Sequence, residues 1–221
     1  MRGDGMAEMS LGDGIDLLQR RAKIVQFLLI VGFATTVAVL IGEFGELGGN
    51  LHIENPDPSP MEQLYLIVLL ISMLVTLITV VLFAMWIYRA AANVVAAATP
   101  GFDFTPGWAV GWYFIPFANL VQPFLAMRQI WNASHSGGTD LDRGAPILTL
   151  WWTLWLASNI SANISMQVGF RATNVEMYKL SVQIGALSTI LSLALLIVGT
   201  RLVERLTAAQ RDHLSPAHIF A

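Results

Sequence analysis

Cysteine is absent from this 221-residue chain. That removes disulfides, thiolate metal sites and cysteine nucleophiles together, and leaves the redox compartment without a marker. Charge is scarce: Asp, Glu, Lys and Arg make up 12% of the residues, about half the roughly 25% of an ordinary soluble domain. The net charge is −3 and no dense basic stripe exists, so no nucleic-acid partner is expected. The histidines, His52, His135, His213 and His218, all fall in polar stretches. No helix pair therefore offers axial ligands to a buried haem, and no serine–histidine pair can meet at depth. No Asp or Glu stands in the middle of an apolar run, which argues against an aspartyl intramembrane protease or a carboxylate proton relay. A phosphate-binding glycine loop, a zincin pattern and a dinucleotide fingerprint are also missing. The chain is expected not to be an enzyme, and no catalytic residue, metal ligand or cofactor is assigned.

What is present is hydrophobic: 55% of the residues, with a mean hydropathy of +0.62. The apolar runs predict an all-α integral membrane protein with spans at about 24–42, 64–88, 146–168 and 180–199. Arg20, Arg21 and Lys23 directly precede the first run. A basic flank before an apolar core resembles a signal peptide, but the run exceeds a signal core and no small-residue cleavage site follows. It is read as an uncleaved first crossing after a cytoplasmic segment, 1–23. Residues 43–62 read as an acidic outside loop, with Glu43, Glu46, Glu54, Asp57 and Glu62 and no Lys or Arg. His52 beside these carboxylates lacks metal-ligand spacing. The Asp140/Asp142 pair lacks the rest of a calcium-loop pattern and reads as a turn. Residues 201–221 read as an amphipathic cytoplasmic tail, whose Arg201, Arg205 and Arg211 suit anionic headgroups.

The interrupted stretch from Trp86 to Ser134 organises the rest. The helix of the second crossing is expected to continue beyond it through Ala98, until Thr99-Pro100-Gly101 stops it. Thr105-Pro106 then signals a new helix start, with Thr as cap and Pro in the first turn. Pro116 disturbs that helix, and Pro123 opens a second piece that fades at His135-Ser136-Gly137. Neither piece reaches across a roughly 30 Å hydrocarbon core. If the segment 107–127 crossed as one kinked helix, Arg128, Arg143, Arg201, Arg205 and Arg211 would all face outside. If it re-enters or lies at the interface, only Arg171 and Lys179 do. The positive-inside bias favours the second arrangement. The expected fold is one bundle over 24–200: four crossings plus a broken re-entrant or interfacial helical hairpin at 105–135, with both termini cytoplasmic.

Polar residues inside apolar surroundings are the candidate contacts. Trp86, Arg89 and Asn93 share a helix face beside the broken segment. Arg89 is expected to clamp carbonyls freed near Pro116 or Pro123; the competing reading is contact with an anionic lipid or ligand. Asn119 lies between those prolines. Arg128 near a helix end suits snorkelling to headgroups. In the third crossing Asn159 and Asn163 share a face that is expected to point into the bundle. Interhelical hydrogen bonding is the plainer role for them, and a polar pocket lining the sharper one.

The sequence W-x-x-R-x-x-x-N at Trp86, Arg89 and Asn93 continues with P-G-F-x-F-x-P-G-W-A-V-G-W, F-I-P-F-A-N-L-x-x-P and I-W-N-A-S, then D-R-G-A-P and W-W-x-L-W-L. Together these resemble the bacterial multi-pass membrane family catalogued as domain of unknown function 4328, from about Ile24 to Leu206. The family pattern often has an acidic residue before the I-W pair. Here it is Gln129, which weakens any arginine–carboxylate site at that position. The resemblance implies a bacterial plasma (inner) membrane protein of about four helices and transfers no activity. The leading expectation is a structural or accessory subunit of a membrane complex, with membrane lipids and a protein partner or second copy as its contacts. The alternative is a small-molecule or lipid binding, sensing or transport module using the broken hairpin and the polar face of the third crossing.

Overall fold

A computed structural model of the chain describes residues 10–52, 56–136 and 144–214. The Asp140/Asp142 turn, Glu54 and His218 lie outside those residues. Six α-helices follow in order: α1 (Leu11–Leu47), α2 (Pro60–Ala96), α3 (Pro106–Gly111), α4 (Gln122–Ser136), α5 (Pro146–Phe170) and α6 (Val175–His213). Short 3-10 turns at Trp112–Phe114 and Ala118–Leu120 separate α3 from α4. No strand occurs among the described residues.

α1, α2 and α6 are long and apolar enough to cross a membrane, with mean hydropathies of 2.5, 3.1 and 2.1 over their most apolar stretches. The chain is therefore an all-helical protein built for membrane insertion. α5 has 25 residues, enough length for a crossing. It is not among the three, because Ser158, Asn159, Ser161, Asn163 and Ser165 dilute its apolar character.

Each long helix begins earlier or ends later than its apolar run, for local reasons. α1 starts at Leu11, where the Asp13 amide donates to the Ser10 hydroxyl oxygen over 3.1 Å, an N-cap bond. It runs past Glu43 and Glu46 and closes at Gly49, whose φ of 73° suits glycine in a left-handed cap. Those two glutamates are thus helical, not part of an acidic loop. α2 starts at Pro60, preceded by a capping box: Glu62 Oε2 accepts from the Ser59 amide at 2.7 Å and the Glu62 amide points at Ser59 Oγ. α2 ends at Ala96, followed by Ala98 at φ 52°. There the Thr99 amide donates to Val94 O and the Ala98 amide to Val95 O, a Schellman closure with alanine where glycine is usual. The Asn174 side chain caps α6 by accepting from the Met177 amide.

Two compact units emerge. The first comprises residues up to 26, 81–148 and 202 onward; the second comprises 27–80 and 149–201. The first has a closed apolar core containing Leu18, Val25, Trp86, Ile87, Val94, Met127, Ile130, Leu202 and Leu206, each 1% exposed or less. The second buries far less. Its helices present Phe27, Ile41, Leu70, Leu74, Leu77, Ile164 and Leu187 outward, all at least 46% exposed. Surface of that kind on long helices is what lipid covers.

Candidate functional site

In the second unit, α1 places Glu43 and Glu46 one helical turn apart on the side facing α2 and α6. The Glu46 carboxylate is 9% exposed and accepts two phenolic hydrogen bonds: Tyr65 to Oε1 at 2.8 Å and Tyr178 to Oε2 at 2.6 Å. Glu43 Oε1 lies 2.9 Å from the Thr189 hydroxyl, which is also 3.1 Å from the Gly185 carbonyl. A hydroxyl has one proton, so it serves one of these acceptors at a time. Glu43 Oε2 is buried with no hydrogen-bond partner among the described residues.

These carboxylates open on a cavity of about 320 Å³, lined also by Tyr65, Ser165, Met166, Phe170, Tyr178, Ser181 and Gly185. No Lys, Arg or His belongs to that lining. Glycines make the close approach possible. A Cβ at Gly42 would overlap the Tyr65 ring, and one at Gly185 would stand 3.2 Å from Ser165 Oγ and 3.4 Å from Glu43 Oε1. The wall formed by α5 and α6 is tied by Ser165 Oγ donating to Ser181 O at 2.8 Å. Ser188 Oγ donates likewise to Ser158 O at 2.9 Å. Chemically, this open cavity offers carboxyl oxygens, hydroxyls and aromatic faces.

The first unit contains a second polar cluster, and it is fully engaged. Asn93, with no exposure, donates to Gly14 O at 3.3 Å and Gln210 Oε1 at 2.9 Å, while its Oδ1 accepts from Arg89 Nε at 2.9 Å. Gln210 donates in turn to Ala90 O and Ser134 Oγ. Trp86 Nε1 donates to Thr207 Oγ1 at 3.1 Å. Arg89 and Asn93 therefore meet directly and are joined to α1, α4 and α6 through Gly14, Gln210 and Ser134, while Trp86 ties separately to α6 through Thr207. A Cβ at Gly14 would collide with Asn93 Oδ1. This cluster is a fastening, with its amides spent on protein partners.

The broken segment follows its local chemistry. Thr105 Oγ1 accepts from the Trp108 amide at 3.3 Å, and Pro106 stands in the first turn of α3. Phe117 has φ 64° and ψ −42°, and the Ala118 amide donates to Pro116 O at 2.8 Å, a γ-turn of the strained hand. Phe114 and Phe117 are 76% and 86% exposed. Asn119 is half-buried and its backbone N–H donates to Ile115 O. Pro123 is buried at the start of α4. The Arg128 guanidinium lies 5.8 Å from the Phe124 ring centroid, a cation–π geometry. Gln129 accepts from the Asp103 amide and donates to the Asp103 carboxylate, both at 3.0 Å.

Asn159 and Asn163 depart from expectation. Both are exposed, and their amides donate back to Trp155 O and Asn159 O on their own helix. On the opposite side the Ser165 hydroxyl and the Ser158 backbone carbonyl make the interhelical bonds instead. Four-residue spacing correctly put the two asparagines on one face; the choice of face depended on which side α6 occupies. The glutamates were missed for a related reason. Their three-residue spacing and the Gly48-Gly49 pair beyond them are the signals of a helix that continues.

Residues 59–208 match the model of a family described as Domain of unknown function (DUF4328). No curated protein and no solved structure matches the chain.

Proposed function

Since the chain belongs to the family Domain of unknown function (DUF4328), we propose that it is a multi-pass plasma-membrane protein of bacterial type that binds, and in binding senses or moves, a small organic cation. α5 serves as a fourth crossing beside α1, α2 and α6, and both termini are cytoplasmic. The short pieces α3 and α4 form an interfacial hairpin on the cytoplasmic side, with Phe114 and Phe117 dipping toward lipid. Positive-inside charge supports that orientation, and it opens the carboxylate chamber on the outer side.

One observation carries the ligand class: Glu43 and Glu46 line a cavity of about 320 Å³ whose lining includes no basic residue. Ionisable groups inside a membrane bundle are costly to keep and point to a bound ion or substrate. The volume lies at the small end of the range for ligand pockets. Tyr65, Tyr178 and Phe170 add aromatic faces, which favour an ammonium group over a bare metal ion.

Equilibrium dialysis of the detergent-purified chain against radiolabelled n-butylammonium tests this. Saturable binding is expected in the wild type and at least tenfold weakening in Glu43→Gln. Absence of saturable binding in the wild type would sink the proposal. A vesicle uptake assay with the same probe separates binding from transport.

A further inference from the structure

We propose that the outward face of α5 is a self-association surface, on which a second copy of this chain docks in parallel through Asn159, Asn163 and Gln167. This inference does not use the carboxylate cavity, but it rests on the reading of α5 as a fourth crossing.

α5 has two unlike sides. Ser158 and Ser165 face α6, the Ser165 hydroxyl donating to Ser181 O and the Ser158 carbonyl accepting from Ser188. Asn159, Asn163 and Gln167 recur every four residues on the outer side, and all three are exposed. Toward the start of the helix the same four-residue register continues with the half-buried Trp155 and the buried Trp151. Asn159 stands near the midpoint of this 25-residue helix, the depth at which an amide facing lipid is most costly. Each asparagine satisfies one N–H on the carbonyl one turn back, at 2.7 and 2.8 Å. A carboxamide offers two donors and an acceptor oxygen, so one N–H and the oxygen of each still face outward.

What covers this face must present donors and acceptors at the same depths. A second copy does so by symmetry. A two-fold axis along the membrane normal sets every amide of one α5 opposite the same amide of the other, and carboxamides are self-complementary.

The cysteine-free chain makes the test direct. Ile160→Cys, on the same face, is expected to cross-link to a product of twice the chain mass in membranes treated with oxidant. Leu77→Cys, on the exposed side of α2, is expected to give none. In the Ile160→Cys background, Asn159→Leu, Asn163→Leu and Gln167→Leu combined should weaken association about 20-fold at the usual strength of interhelical polar contacts. Leucine favours insertion, and unchanged thermal unfolding of the monomer would show that the variant folds. No doubled product from Ile160→Cys, a cross-link to some other protein in its place, or dimerisation indifferent to the three leucines would each overturn the proposal. If the triple variant does not accumulate, the Ile160→Cys result decides alone.

Discussion

The Tyr178 hydroxyl donates to Glu46 Oε2 over 2.6 Å, joining residues 132 positions apart in sequence. Tyr65 holds the other carboxylate oxygen. Two phenols therefore stand where a buried carboxylate would otherwise face apolar side chains. Each hydrogen bond to a charged acceptor is worth about 1.5–3 kcal/mol. Tyr65→Phe and Tyr178→Phe are each expected to destabilise by about that amount in denaturant unfolding in detergent. The double variant should lose more than the sum, because only then is the carboxylate left bare. Additive losses would argue that Glu46 finds another partner.

Gly42 lets the Tyr65 ring lie against α1. A methyl group there meets the ring itself, and overpacking of this kind costs typically about 1–3 kcal/mol. Gly42→Ala should lower the thermal midpoint and weaken butylammonium binding together, since it moves the hydroxyl away from Glu46. Normal stability with normal binding would show that the ring shifts freely.

Asn93 and Gln210 share one buried hydrogen bond and bind further partners on either side. Removing one amide strands the polar groups it served, at about 1–3 kcal/mol each. Asn93→Leu and Gln210→Leu should both destabilise strongly, and a double-mutant cycle should give a coupling of about 1 kcal/mol or more. Zero coupling would mean that the two amides act separately.

Ala98 closes α2 at φ 52°, where an L side chain costs roughly 1–2 kcal/mol relative to the right-handed region. Ala98→Gly should therefore raise stability by about 0.5–1 kcal/mol, after glycine's extra chain entropy is deducted. A destabilised variant would contradict the strain.

His135 stacks on Trp131 with ring centroids 4.1 Å apart, and its Nδ1 lies 2.9 Å from Trp131 O. Burial lowers its pKa, the Trp131 carbonyl opposes that shift, and the nearby His213 and Arg205 reinforce it. With the folded pKa below the unfolded one, the unfolded state binds more protons between the two values. Stability should be complete above the ordinary histidine range and decline as pH falls through it. The His135→Gln variant is expected to flatten that slope between about pH 5 and 7, measured by thermal unfolding. An unchanged slope would place the titration elsewhere.

Much of the fold was written locally. Thr99-Pro100-Gly101 ends α2, Thr105-Pro106 opens α3, and α4 begins at Gln122 beside Pro123, because prolines and caps act within one helical turn. The four-residue spacing of Arg89 and Asn93 brought them together on one face. The amphipathic tail after residue 200 continues α6 as one helix, whereas the apolar runs alone do not show that α1 passes Glu43 and Glu46 or that α6 begins at Val175.

By itself, then, the sequence determined the class: a cysteine-free, helical, membrane-inserting chain with a broken central segment and a recognisable family pattern. Composition, apolar run length and breaker residues decide those features, and each acts over a short stretch of chain. Only the tertiary structure decided which polar groups face inward. Glu46 is held by phenols 19 and 132 residues away, and Asn93 by an amide 117 residues away. Asn159 and Asn163 turned outward because α6 packs against the serine side of α5. A polar side chain in an apolar helix carries no local mark of its partner. Its direction follows from which helices meet, and that is settled by glycine-sized gaps and long-range hydrogen bonds.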